Sequence, residues 1–311
     1  MKMAVKKILV SEVGPRDGLQ SIKAIMPTEY KKKWISAMAK AGIAEIEVGS
    51  FVPASVFPQL ADTAQIVRYA KTIKGLQVAA LVPNLKGAIA AINAGVDKLS
   101  IPFSVSETHS LRNLKRNHQQ VIDEVSQISR YISQLPKAQR PHFEASLSTA
   151  FGCTIEGTIA EYAVISSAEK LIEAGAAEVG LSDTTGYGNP QQVKRLVQQI
   201  KACVGNEKLT SVHLHNTRGL GLANALAAIE AGIETIDSSM AGIGGCPFAP
   251  GASGNIVTED LVFMLQSMGI QTGIDLPQLL EVRHILRAAF PSEPLYGFTP
   301  DAGIPKGFVA P

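Results

Sequence analysis

Short β-rich runs alternate with amphipathic helical stretches through nearly the whole chain, and that alternation restricts the available folds more than any single motif does. The runs are KILVSEV (7–13), EIEVGS (45–50), QVAALV (77–82), KLSIPF (98–103), HFEASLS (142–148), EVGLSD (178–183), SVHLHN (211–216) and TIDSSM (235–240). Between them lie segments such as TEYKKKWISAMAKAG, LKGAIAAINAG, AEYAVISSAEKLIEAG and LANALAAIEAG, with apolar residues at three- and four-residue spacing and a closing Ala-Gly. A glycine just past a helix accepts the left-handed backbone that ends it. Eight strand-plus-helix units predict a (β/α)8 TIM barrel of class α/β. An open doubly wound sheet would carry a Gly-x-Gly-x-x-Gly turn after an early strand, and the chain has none. We expect one catalytic barrel over residues 1–311, with a helical extension from about 275 containing LPQLLEVRHILRAAF and the Pro/Gly-rich PLYGFTPDAGIPKGF.

Composition narrows the partners. With 29 basic against 27 acidic side chains, no global charge calls for a nucleic acid or an anionic membrane. Cys153, Cys203 and Cys246 form no Cys-x-x-Cys pair, which argues against a disulfide framework or structural zinc and suits a reducing cytosol. No apolar run approaches the roughly 20 residues that span a bilayer. The N-terminal MKMAVKKILV is too short in its apolar part for a signal peptide and reads as the first strand.

Barrel enzymes carry their chemistry at the C-terminal ends of the strands, so polar residues there are the candidates. They are Arg16 and Asp17 after the first run, Glu47 in the second, Asp183 ending the sixth, His213 and His215 on the seventh, and Cys246 and Asn255 after the eighth. Residues two apart on a strand share a face, so the two histidines point into the barrel mouth together, as metal ligands or as paired core histidines. Asp17 and Asn255 can add a carboxylate and an amide oxygen, leaving positions open for substrate; ligand softness alone admits zinc, manganese or magnesium. Arg16 offers a planar guanidinium to a thioester or carboxylate oxygen, or a salt bridge to Glu47 or Asp183. The loop AGIGGCPFAPGASGN (241–255) holds five glycines around Cys246. That thiol is either a proton donor on a closing lid or a small apolar side chain in a turn. No Gly-Lys-[Ser/Thr] follows, so the loop lacks a Walker-type phosphate signature. Cys153, Cys203, His109, His118, His142 and His284 read as packing or solvated residues.

The blocks SEVGPRDGLQ, EIEVGSFVP, VPNLKG, GLSDTTG, HLHNTRGLGLANALAAIEAG and GIGGCPFAPGASGNIVTEDLVFML occur in the order of one family. From about residue 8 to 275 the chain resembles the 3-hydroxy-3-methylglutaryl-CoA lyases. The resemblance implies Asp17, His213, His215 and Asn255 as ligands of Mg2+ or Mn2+, Arg16 facing the thioester carbonyl, and Cys246 as the catalytic thiol. Glu47 and Asp183 match acidic positions around the site, with Asp183 our candidate base. The implied reaction breaks the bond between the second and third carbons of a 3-hydroxyacyl-CoA, and the implied assembly is a homodimer. Two departures fall near the acyl group: Arg218 in HNTRG, where the well-known members read HDTYG, and Ser146, where they carry tyrosine. Both are candidate substrate-binding residues, and they keep a related 3-hydroxy-carboxyacyl-CoA such as citramalyl-CoA open as an alternative. A non-catalytic acyl-CoA-binding barrel is a further alternative. Asn84 and Lys86 in VPNLKG are candidates for contact with coenzyme A.

Overall fold

The computed structural model describes residues 7–244 and 254–311. All eight runs become strands of one closed parallel barrel: β1 (Leu9–Glu12), β2 (Glu45–Ser50), β3 (Gln77–Leu81), β4 (Lys98–Ser104), β5 (His142–Ser148), β6 (Glu178–Asp183), β7 (Ser211–Leu214) and β8 (Thr235–Ser238). Closure comes from β8 pairing with β1, Leu9 to Thr235 through Glu12 to Ser238. The expected TIM barrel is therefore present. β7 stops at Leu214, short of its run, because His215 leaves the ladder for an isolated antiparallel bridge with Asn255.

Strand periodicity assigns the two faces. One set of alternate residues, including Val10, Ile46, Val78, Leu99, Ile101, Phe143, Leu147, Leu181, Val212 and Ile236, packs outward into the hydrophobic core under the helices. The other set faces the axis and is mostly polar: Ser11, Glu45, Glu47, Lys98, Ser100, Glu144, Ser146, Ser182, His213 and Asp237, with Ala79, Leu81 and Pro102 among them. A barrel interior is ordinarily filled by bulky branched residues. Here serines and ion pairs replace them, and a cavity of about 540 Å3 runs along the axis.

The helices Leu85–Ala94, His118–Gln134 and Pro190–Val204 begin at Asn84, Asn117 and Asn189, whose side chains accept the first free backbone N–H groups. After β8 come three more, Thr258–Ser267, Leu276–Ala289 and Phe298–Ala302. Asp260 accepts from the backbone of Phe298 at 2.9 Å and Thr299 at 2.6 Å, tying the C-terminal segment to the first of them. Arg283 donates to Glu259 at 2.6 Å, and Glu259 also accepts from the Ala241 N–H at 3.0 Å, beside the exit of β8. Glu259 is wholly buried. Removing one partner of a buried pair strands the other's charge, so Arg283→Met should destabilise the fold by about 3–5 kcal/mol in urea titrations. A loss under about 1 kcal/mol would show that the pair carries no such load. Among the described residues no helix is long and apolar enough to cross a membrane.

Candidate active site

Beyond β1 the GPRDG segment forms one wide helical turn, Gly14–Gly18. Glu12, the last residue of β1, faces outward and fixes that turn. Its carboxylate accepts from Gly14 N at 2.9 Å, Met240 N at 2.9 Å and Thr258 Oγ1 at 2.6 Å, joining the exits of β1 and β8. Burial pushes its pKa up to about 8, against the pull of those donors. The turn places Arg16 and Asp17 over the barrel mouth, where both line the cavity.

Asp17 meets the two histidines there. One ligand atom each from Asp17, His213 and His215 lies within 4.8 Å of the others. The two Nε2 atoms are 3.1 Å apart. Asn255 joins by donating Nδ2 to Asp17 Oδ2 at 2.7 Å, while its Oδ1 is buried without a hydrogen-bond partner. A buried, unpaired amide oxygen beside a carboxylate and two imidazoles is the donor set that a hard or borderline divalent cation requires, and the residues fit one.

The charge states of Asp17 and His215 suit ligation, whereas that of His213 opposes it until a cation displaces the proton. Burial alone would raise Asp17, but Arg16, His213 and His215 overcome it and hold the carboxyl below its usual range. His215 is depressed to about 4 by burial and by neighbouring His213. Burial also opposes a charged His213, yet the hydrogen bond to Asp237 and the charge of Asp17 leave it raised. An ionised Asp17 and a neutral His215 are the ligating forms.

Arg16 donates through Nε to Glu47 and through Nη1 to Asp17 Oδ1 at 2.5 Å. Glu47 also accepts from Ser100 Oγ at 2.8 Å. The salt bridge anticipated for Arg16 is thus made with Glu47 and not with Asp183. Deeper in the cavity, Lys98 Nζ lies 2.7 Å from Glu144, 3.4 Å from Glu178 and 3.9 Å from Glu45.

Of the expected site residues, Arg16, Asp17, Glu47, Ser146, His213 and His215 line the cavity, and Asn255 joins them through Asp17. Ser146 spends its hydroxyl on Glu144 at 2.8 Å. Asp183 is not brought to the group. It follows Ser182, which faces the axis, so its side chain points outward. Its oxygens accept from Tyr187 N at 2.9 Å and Gly188 N at 3.0 Å. Burial raises it to about 6, against those two bonds and the nearby Arg218. Arg218 also stays outside: Nη1 donates to the carbonyls of Thr185 at 3.1 Å and Gly186 at 2.9 Å, and the guanidinium stacks on Tyr187. Asn84 is committed to its helix cap and Lys86 is exposed, and neither lines the cavity. The basic residues at the mouth are instead Lys115 and Arg116. Cys246 lies outside the described residues. Sequence reasoning missed Lys98, Glu144 and Asp237, because the parity of one strand passes to another only through a register that the closed barrel supplies.

Fold and site together define a (β/α)8-barrel protein with a candidate divalent-cation centre at the C-terminal ends of its strands. The HMGL-like family model matches residues 7–286, and the chain belongs to that family. Hydroxymethylglutaryl-CoA lyase YngG of Bacillus subtilis is 38% identical over 275 residues, covering 88% of this chain and 90% of that protein. The mitochondrial hydroxymethylglutaryl-CoA lyase of Rattus norvegicus is 40% identical over 276 residues, covering 89% of this chain and 83% of its own length. Among solved structures, an HMG-CoA lyase from Acinetobacter baumannii in complex with coenzyme A and 3-methylmalate superposes with TM-score 0.91 at 38% identity, covering 100% of this chain and 99% of that one.

Proposed function

We propose that the chain is a carbon–carbon lyase that cleaves 3-hydroxy-3-methylglutaryl-CoA to acetyl-CoA and acetoacetate. The observation that carries this reading is the convergence of Asp17, His213, His215 and Asn255, from three separate parts of a family-member barrel, beside the Arg16 guanidinium. Mg2+ or Mn2+ held by Asp17, His213, His215 and the Asn255 amide oxygen would supply a Lewis acid that acidifies a hydroxyl and fixes neighbouring oxygens.

The chain's own groups account for the rest. Nε and Nη1 of Arg16 are committed to Glu47 and Asp17, which fixes the plane of the guanidinium and leaves Nη2 for the thioester oxygen. Negative charge grows on that oxygen as the bond between the second and third carbons breaks, and a fixed donor is worth most there. Glu47, inside the cavity, takes the hydroxyl proton in the place first given to Asp183. The electron pair of the broken bond passes to the second carbon, which regains a proton from Cys246, and the third carbon becomes the ketone of acetoacetate. Lys115, at the mouth, would meet the phosphates of coenzyme A in place of Asn84 and Lys86, with Arg116, which also pairs with Glu124, beside it. A homodimer in the cytosol completes the reading.

The test is to incubate purified protein with Mg2+ or Mn2+ and the thioester, following acetoacetate and acetyl-CoA. Both should appear in equal amounts, and EDTA should stop turnover. Failure to release acetoacetate with either ion would overturn the assignment.

A further inference from the structure

The polar axis of the barrel contains a carboxylate that the proposed chemistry does not use. Asp237 lies on β8 opposite His213 on β7, the two being register partners in adjacent parallel strands. Its Oδ2 is 3.1 Å from His213 Nδ1. A carboxylate only accepts, so in the neutral imidazole the proton sits on Nδ1 and the Nε2 lone pair turns the other way. Nε2 is the atom that faces His215, at 3.1 Å.

Asp237 is itself placed by the fold. Both residues stand on rigid strands, and their parity brings the side chains to the same axial face. The contact is half-sheltered, with 14% of the His213 side chain and 24% of the Asp237 side chain exposed, so water weakens it little. A histidine free to rotate about its second side-chain torsion would present either nitrogen, or neither, to an incoming cation.

We propose that Asp237 is a positioning residue for the cation centre: it fixes the tautomer and ring orientation of His213, so that Nε2 is ready to ligate. The inference rests on the cation centre of the proposed function. Partners of this kind typically cost about 10- to 100-fold in metal affinity when removed.

The experiment measures Mn2+ binding to the full chain by electron paramagnetic resonance, without substrate. Asp237→Ala should raise the Mn2+ Kd about 10- to 100-fold. Asp237→Asn replaces the carboxylate with a neutral amide that can accept from Nδ1–H or donate to a bare Nδ1, and should fall between that variant and the wild type. Asp237→Glu should recover part of the affinity. A thermal melt of each cation-free variant separates this from a general loss of fold. If Asp237→Ala does not fold, the isosteric Asp237→Asn carries the test by a second readout. Imidazole 1H–15N correlation spectra at alkaline pH should show one neutral tautomer of His213 in the wild type and a mixture in that variant. A folded Asp237→Ala binding Mn2+ within about twofold of wild type, or an unchanged tautomer in Asp237→Asn, overturns the proposal while leaving the lyase reading intact. Absence of Mn2+ binding by the wild type overturns both.

Discussion

Arg16→Ala should lower kcat on the thioester by about 100- to 1,000-fold, the usual consequence of deleting one donor to a developing oxyanion, while Mn2+ binding persists or tightens. The two halves of this result have opposite signs because Arg16 has two partners. It would serve the substrate oxygen in the transition state, but in the cation-free protein it also occupies Asp17 Oδ1 at 2.5 Å. Without the guanidinium, Asp17 and Glu47 remain buried, 7% and 6% exposed, and each loses its salt-bridge partner. A divalent cation then becomes their counter-charge. The Mn2+-induced rise in Tm should accordingly be larger for Arg16→Ala than for wild type. Arg16→Lys restores the charge without the fork that reaches Glu47 and Asp17 together, so most of the lost rate should stay lost. Wild-type kcat in Arg16→Ala removes Arg16 from the chemistry. A cation affinity that falls with the rate would make Arg16 part of the cation centre instead.

The architecture was legible because parallel strands and the helices between them announce themselves in two different periods, and glycines such as Gly95, at φ 98°, mark the stops. The cation centre was legible for a narrower reason. His213 and His215 are two apart on a strand, so if one faces the axis, both do. Asp183 is a candidate by its place at a strand end and by resemblance, not by parity: its parity is that of the outward face, and Ser182 holds the inward one. Arg218 failed for another reason. A cation in a loop finds carbonyls wherever a turn exposes them, and Arg218 donates to those of Thr185 and Gly186. The polar axis itself was hidden by habit of composition. Lys98, Glu144 and Glu178 look like surface residues in a strand read alone. They become interior only when the barrel closes and brings Lys98 within 2.7 Å of Glu144.

Gly254→Ala should cost about 100-fold in kcat and weaken Mn2+ binding with it, although the glycine touches neither substrate nor cation. The reason is space. A Cβ at position 254 would lie 1.6 Å from the Gly242 carbonyl oxygen and 2.7 Å from that of Gly244, both backbone atoms that no rotamer change can remove. The two stems of the 241–255 segment must therefore separate. Gly254 is also the residue whose carbonyl accepts from Asn216 N at 3.3 Å, and the next residue makes the bridge to His215. Separation consequently carries Asn255 away from Asp17, breaking the 2.7 Å contact that brings the amide to the carboxylate. A displacement near 1 Å is enough for a loss of this size, because the donor atoms must share one point. Gly269→Ala supplies the comparison. Its φ of 73° is strained for alanine but nothing lies within 4 Å of the added carbon, so it should cost about 1–2 kcal/mol of stability and leave kcat alone. Equal stability losses in the two variants, with cation affinity and rate unaffected in both, would mean that Asn255 does not depend on the closeness of the stems and does not act where the geometry puts it.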